Sequence, residues 1–529
     1  MTISDAFHIY DTTLRDGAQQ EGLNLSVHDK LTIARHLDDL GVGFIEGGWP
    51  GANPKDTEFF RLAQSELKLK NATFVAFGAT RRAGVKAADD ALLRALVESE
   101  APVVTLVAKS HDRHVDLALK TTLDENLAMI KDSIAFLRAE GRRVFLDAEH
   151  FFDGYGSNPK YALEVVRVAS EAGADVIALC DTNGGMLPDE LSDVVHQVLS
   201  QTSARLGIHC HNDTGCAIAN SLAAVAAGAT HVQGTLNGYG ERTGNADLVS
   251  IIANLQLKKQ QQVLPNGKLE EAFRISHAVA EVTNVAPSAR QPYVGVSAFA
   301  HKAGLHASAI KVDPALYQHE DPESVGNDMR MLVSEMAGRA SIELKSQELG
   351  IDLGKDKEVV TRIVERVKSM EARGYTFEAA DASFELLLRE EIDGKRPKFF
   401  TMQRWETTVD QNPDGSVTSR ATVTISAKGE VIDAAGTGNG PVNAIDNALR
   451  KGLERIYPEL SRLELTDYKV RILEGRLGTG AVTRVLVETS DGQGEWSTVG
   501  VHENVIAASA MALDDAVTYG LLRQGQRPE

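Results

Sequence analysis

The feature that most constrains this chain is a unit repeated eight times in its first half. Each unit is a short run of β-branched and aromatic residues, a polar or glycine-bearing loop, and a longer stretch with apolar residues at helical spacing. The runs are residues 7–13, 42–48, 73–79, 102–110, 143–153, 175–183, 205–213 and 230–238. Between them lie helix candidates such as VHDKLTIARHLDDLG, LDENLAMIKDSIAFLRAEG and NPKYALEVVRVASEAG, which close on glycine as helix ends favour. Strands that return through helices run parallel, because each parallel return needs a crossover. Eight units in about 240 residues predict a closed (β/α)8 barrel. An open doubly wound sheet is the rival, and it would have fewer strands and a phosphate-loop fingerprint near its start.

Past residue 275 the pattern changes. Residues 276–400 read as a connecting helical region, and residues 401–529 as an α+β domain in which paired strands precede a helix twice over, a pseudo-twofold ββα-type repeat. Asp414-Gly415 and Asp491-Gly492 suit hairpin turns. The full expectation is an α/β chain: barrel (1–275), helical linker (276–400) and C-terminal domain (401–529).

Net charge is -19, from 55 Lys+Arg against 74 Asp+Glu, and no basic patch stands out, so nucleic acid and anionic membranes are poor partners. Cys180, Cys210 and Cys216 form no CxxC pair, as in a reduced compartment. MTISDAFHIY lacks the basic flank and apolar core of a signal peptide, and no stretch approaches the ~18 uninterrupted apolar residues of a membrane span. A cytoplasmic protein is expected.

Chemistry in such a barrel sits at the C-terminal ends of the strands, and polar residues crowd there: Asp11, Arg15, Asp16, Glu46, Glu149, Asp181, Thr182, His209, His211, Asp213 and Asn237. His209 and His211, two apart on one strand, leave from the same face with Cα atoms roughly 6.6 Å apart. They can flank a divalent cation, and a carboxylate or amide oxygen would complete a mixed N/O set. The alternative is a pair of surface or core histidines. Asp16 is an anionic ligand candidate, and Arg15 a cation for negative charge developing on a small 2-oxo acid; by itself this pair would read as a solvated loop ion pair. After the eighth strand, GTLNGYGERTGN offers Asn237, Gly238 and Gly240 for close approach to a phosphate-bearing cofactor, and Asn245 for an amide oxygen toward the metal. A plain turn is the simpler reading of such a loop.

DTTLRDGAQ, HCHNDTG and GTLNGYGERTGN together resemble the signatures of the metal-dependent Claisen-condensing barrels that include 2-isopropylmalate, homocitrate and citramalate synthases. The resemblance runs over essentially the whole chain. IEGGWPGANPKD, LDAEHFFDGY, YQHEDPESVGN and LVSEMAGRASI look most like the citramalate synthase branch. It implies a divalent metal (Zn, Mn, Mg or Co) held by Asp16, His209, His211 and, directly or at longer range, Asn245, with acetyl-CoA as co-substrate. Arg15 would stabilise the alkoxide, Thr182 hold the oxo-acid carboxylate, and Glu149 position acetyl-CoA or assist proton transfer. Glu46 is a further substrate-binding candidate, with orienting Arg15 or the loop as its structural alternative.

AHKAGLH and ALYQHEDP resemble the family segment that supplies a histidine and a tyrosine from a neighbouring subunit, which points to His306 and Tyr317 and to a homodimer. The branch likeness implies condensation of acetyl-CoA with pyruvate, and the C-terminal domain implies feedback by a branched-chain amino acid, isoleucine for this branch. A 2-isopropylmalate synthase acting on 2-oxoisovalerate is the alternative. The related lyases carry a cysteine in the glycine loop, and residues 234–245 contain none. A non-catalytic sensor built on the barrel would lack turnover on any 2-oxo acid.

Overall fold

The computed structural model describes residues 6–354, 357–473, 478 and 480–528 of the 529. The first five residues of the N-terminal stretch, and residues 474–477 and 479 of the second C-terminal half-repeat, lie outside the described residues. The chain forms two compact units, Met1–Phe299 with Glu320–Asp328, and Ala300–His319 with Met329–Glu529.

In the first unit each of the eight runs contains a strand: β1 (His8–Asp11), β2 (Phe44–Glu46), β3 (Thr73–Ala79), β4 (Val103–Lys109), β5 (Arg143–Glu149), β6 (Val176–Asp181), β7 (Arg205–Cys210) and β8 (His231–Gly234). All neighbours are parallel, and β8 closes on β1 with His8 opposite His231 and Asp11 opposite Gly234. The open-sheet rival is thereby excluded. Local chemistry sets the helix ends. Ser26 and Asp29 form a capping box on the helix Val27–Leu40, Pro54 opens the helix Pro54–Glu66 behind the Asn53 cap, and Gly173 and Gly228 end their helices in left-handed backbone.

Strand alternation stacks the barrel interior in layers. Toward the N-terminal end, Tyr10, Phe44, Val75, Val103, Phe145 and Val176 form one apolar cluster. His8 and His231 pack with it, their Nδ1 atoms 3.1 Å apart. The next inward positions toward the C-terminal mouth are polar: Glu46, Thr105, Asp147 and Gln233, all buried. The barrel is therefore a packed core whose upper third is given over to hydrogen-bonding groups.

The second unit begins with a parallel pair, β9 (Ala300–His301) and β10 (Arg330–Met331), followed by the helices Arg339–Glu348, Lys357–Ala372 and Asp381–Asp393 around Ile342, Val360, Ile363, Phe377 and Phe384. Two three-stranded antiparallel sheets follow. The first is β11 (Thr401–Gln411), β12 (Val417–Ala427) and β13 (Glu430–Gly438), with the helix Pro441–Leu453. The second is β14 (Glu464–Ile472), β15 (Thr483–Ser490) and β16 (Glu495–His502), with the helix Val505–Arg523. A third strand thus joins each expected pair. Their shared core includes Val423, Ile425, Leu449, Val485, Val487 and Leu513 and extends back to Ala382, Phe399 and Phe400. Among the described residues, Val505–Arg523 is the one helix long and apolar enough to cross a membrane by length and composition. It carries Asp514 and Asp515 at its middle and buries most of its length in that core.

Gly207, on β7 one pleat before His209, has no room for a side chain: a Cβ there would lie 2.6 Å from the His231 ring and 3.2 Å from Ala178 Cβ. Overpacking of this kind costs about 1–3 kcal/mol, so Gly207→Ala is expected to lower the unfolding free energy measured by urea denaturation by that amount, and an unchanged free energy would count against this packing.

Candidate active site at the barrel mouth

Asp16 follows β1, His209 lies near the end of β7, and His211 is the first residue past it. Barrel closure leaves only β8 between these two strands, so residues almost two hundred positions apart meet at one rim. Asp16 Oδ2 lies 3.3 Å from His209 Nε2 and 3.9 Å from His211 Nε2, and all three residues are buried. One ligand atom from each lies within 4.8 Å of the others. Two donors about 2.1 Å from one cation sit roughly 3–4 Å apart, so the spacing fits a divalent ion.

Asn245 reaches the same spot because residues 245–247 return as an extended segment along the end of β7, with Asn245 bridging His211 and Ala246 N donating to Cys210 O at 3.0 Å. Its Nδ2 donates to Asp16 Oδ1 (3.3 Å) and to Tyr239 O (3.0 Å). Its buried Oδ1 has no partner among the described residues, nor have the Nδ1 atoms of His209 and His211. An anionic oxygen, two imidazoles and an adjacent spare amide oxygen form a mixed N/O set suited to Zn, Mn or Co.

Arg15 is fixed on three sides. Nε donates to Glu46 Oε1 (2.5 Å), Nη1 to Asp16 Oδ2 (3.2 Å), and the guanidinium plane lies 3.9 Å from the centre of the Phe77 ring. Glu46 is fully buried and also accepts from Tyr10 Oη, which lies 2.7 Å from Thr105 Oγ1. Glu149, at the end of β5, is paired with Lys109. Thr182 Oγ1 accepts from His150 N at 2.8 Å, which leaves the hydroxyl proton free to be donated. Asn237 is fully committed within the protein. Its side chain bonds Ser276 Oγ (2.6 Å), Ser276 O (3.0 Å) and Gln291 Nε2 (3.2 Å), and its backbone is left-handed. Gly238 and Gly240 have positive φ, and a Cβ on Gly240 would lie 2.2 Å from Asn245 Nδ2, so this glycine admits the Asn245 side chain. A cavity of about 410 Å³ borders Asn237, Gly238, Tyr239, Asn245 and Arg290. His306 and Tyr317 belong to the second unit, where their rings stack 4.1 Å apart.

The family model described as HMGL-like matches residues 6–279, one for a homocitrate synthase post-HMGL domain matches 293–375, and one for the LeuA allosteric (dimerisation) domain matches 378–521. An (R)-citramalate synthase of Streptomyces coelicolor is 68% identical over 526 residues, covering 99% of this chain and 98% of its own length. The chain belongs to the citramalate synthase family. Another (R)-citramalate synthase, from Aquifex aeolicus, is 48% identical and covers 98% of this chain and 99% of its own. A 2-isopropylmalate synthase of Methanocaldococcus jannaschii stands further off, at 32% identity with 99% and 96% coverage.

Electrostatics in this member of the citramalate synthase family separate the ligand candidates. Burial works to raise Asp16, but Arg15 and the two imidazoles outweigh it and hold the carboxyl below the usual range. Burial, reinforced by His209, brings His211 down to about 4, so its imidazole is neutral and ready to ligate at neutral pH. Burial also works to lower His209, yet the Asp16 hydrogen bond and the charges of Asp16 and Asp147 raise it.

Asp147, Tyr10, Thr105, Phe77 and Gln233 were absent from the sequence-based site. Period-2 alternation back from Glu149 would have put Asp147 on the inward face. Its Oδ1 accepts from Gln233 Nε2 at 2.7 Å. Asp11 and Asp181 instead brace backbone: Asp11 accepts from Thr13 N and Leu236 N, and Asp181 from Gly185 N and Met186 N.

Burial pushes the Asp147 carboxyl up to about 7, with Glu46 adding to the rise. The folded chain therefore keeps a proton that the unfolded chain, at an ordinary Asp value of about 4, has released, so stability falls as pH rises from about 4 to about 7 and stays reduced above. Asp147→Asn keeps the acceptor for Gln233. In the metal-free protein its unfolding free energy from urea denaturation is expected to match the parent's near pH 4 and to exceed it by about 1–3 kcal/mol at pH 8; equal values at both pH values would show an ordinary carboxyl.

Proposed function

We propose that this chain condenses acetyl-CoA with pyruvate and hydrolyses the thioester, giving (R)-citramalate and CoA in isoleucine biosynthesis. The observation that carries the reading is the Asp16–His209–His211 donor set with Arg15 fixed beside it, in a chain with full-length (R)-citramalate synthase relatives. Asp16, His209, His211 and Asn245 would hold a divalent cation. When bound there, it supplies Lewis-acid polarisation of a 2-oxo group.

The protein's own groups divide the remaining work. Arg15 presents a fixed guanidinium to negative charge developing on the former keto oxygen. Thr182, its hydroxyl oxygen already occupied by His150 N–H, donates its proton to the oxo-acid carboxylate. Glu149, balanced by Lys109, orients acetyl-CoA or assists removal of a methyl proton. The resulting carbanion attacks the keto carbon, the alkoxide is protonated, and water cleaves the thioester to carboxylate and CoA thiol. His306 and Tyr317, from a partner subunit in a homodimer, complete the proton transfers. The cavity beside Asn237 and Gly238, near Gly240, takes the phosphate-bearing arm of acetyl-CoA, with Arg290 on its wall. The reaction is cytoplasmic.

Two measurements test the reading. CoA release from acetyl-CoA is expected with pyruvate, to be lost on chelation and restored by Mn, Co, Zn or Mg, and to be weak with 2-oxoisovalerate. A preference for 2-oxoisovalerate would assign the chain to leucine biosynthesis instead. Millimolar isoleucine is expected to inhibit the full chain through its C-terminal region, with leucine weaker. Insensitivity to isoleucine would remove the effector assignment. Because Ala382, Phe399 and Phe400 share the core of the C-terminal sheets, a truncation meant to abolish this response has to begin before Ala382.

A further inference from the structure

Arg242 lies on the loop after β8 and has no part in the chemistry above. Its Nε and Nη2 donate to Asp213 Oδ1 and Oδ2 at 2.8 and 2.9 Å, and Nη2 also donates to the main-chain carbonyl of Thr182 at 2.9 Å. One guanidinium thus ties together the loops that follow β6, β7 and β8. The approach is close by construction, since a Cβ on Gly184 would lie 2.4 Å from Asp213 Oδ2. Arg242 holds left-handed backbone (φ 56°), a conformation that costs an L residue energy and persists only where its surroundings enforce it. On its other side Thr182 is held by His150, also left-handed (φ 56°), whose N–H meets the Thr182 hydroxyl. The same loop then runs on to Asn245, with Asn212 N donating to Gly244 O at 2.9 Å.

We propose that Arg242 is a positioning residue for the 2-oxo acid: by binding the Thr182 carbonyl and the Asp213 carboxylate at once, it sets the Thr182 hydroxyl in register with the ligands of β7. This rests on the reading of Thr182 as the group that receives the substrate carboxylate. The fork of a guanidinium satisfies both acceptors, whereas a lysine ammonium is a point charge that reaches one of them well. The pair is partly exposed, with side-chain exposures of 43% and 26%, so its contribution to global stability is small and its removal is read in kinetics rather than in folding.

The test is steady-state kinetics on full-length Arg242→Ala, Arg242→Lys and Asp213→Asn with saturating divalent metal, varying pyruvate and acetyl-CoA separately. Loosening Thr182 is expected to raise the KM for pyruvate on the order of tenfold in Arg242→Ala. The KM for acetyl-CoA stays within about threefold, because no acetyl-CoA group is assigned to this clamp. Arg242→Lys remains impaired, Asp213→Asn shifts the pyruvate KM less but in the same direction, and added methylguanidinium partly restores Arg242→Ala. An unchanged pyruvate KM, equal rises in both KM values, or full rescue by lysine overturns the proposal. The parent enzyme is assayed first: turnover of 2-oxoisovalerate without pyruvate overturns the substrate reading alone, and the same comparison on that oxo acid then decides the role of Arg242. No turnover on either acid overturns both.

Discussion

In a closed parallel barrel the first and last strands are neighbours and every strand ends on the same rim, and this geometry makes the site. The pairing of β8 with β1 brings the loop holding Arg15 and Asp16 within one strand of His209 and His211. No local interaction could do so, because the participants are separated by most of the barrel's length in sequence. An open sheet would leave β1 and β8 on different edges or positions without this enforced adjacency. Closure also removes strand edges, so β2 and β8, only three and four residues long, each have a neighbouring strand on both sides.

The rim so formed is crowded with charge that has been taken out of water. Asp16, Glu46 and Asp147 are buried together, with Arg15 as the cation among them. Burying carboxylates without compensation is costly enough that a group would rather keep its proton, and Asp147 does so. Asp16 behaves in the opposite way because Arg15 and the imidazoles favour its anion. The two acids are sorted by environment: one ionised and aimed at the histidines, one held toward neutrality beneath them. A divalent cation fits that arrangement because it adds positive charge where ionised oxygen and neutral imidazole already converge.

The barrel was legible in the sequence because it is written in periodicity, which every unit repeats. The donor set was legible for a related reason: the HxH spacing on one strand and the acid after another have meaning only once the strands form a barrel, and the alternation supplies that. Tyr10 was not, since an inward-facing polar group within a buried run carries no mark of its own, whereas Asp147 stands two residues before Glu149 and strand alternation alone would have turned it inward. The glycine loop shows a different limit. Asn237, Gly238 and Gly240 suggest a phosphate cradle, yet the Asn237 side chain is bonded to Ser276 and Gln291 and the close approach at Gly240 is to Asn245, so these residues shape the wall of the neighbouring cavity by contacts within the protein. In the second unit, composition alone would allow Val505–Arg523 to cross a membrane, and only its packing on the C-terminal sheets identifies it as a core helix.

Backbone strain at the rim follows the same logic. His150, Asn237 and Arg242 each hold left-handed backbone without being glycine, at about 1–2 kcal/mol apiece. Each is locked by bonds to another segment: His150 N to Thr182, the Asn237 amide to Ser276 on the helix Ala272–Thr283 and to Gln291, the Arg242 guanidinium to Asp213 and Thr182. Strain of this kind survives only where several contacts over-determine the conformation. Two of these three residues, His150 after β5 and Arg242 after β8, both meet Thr182, so the strained backbone on either side fixes the position of that one residue.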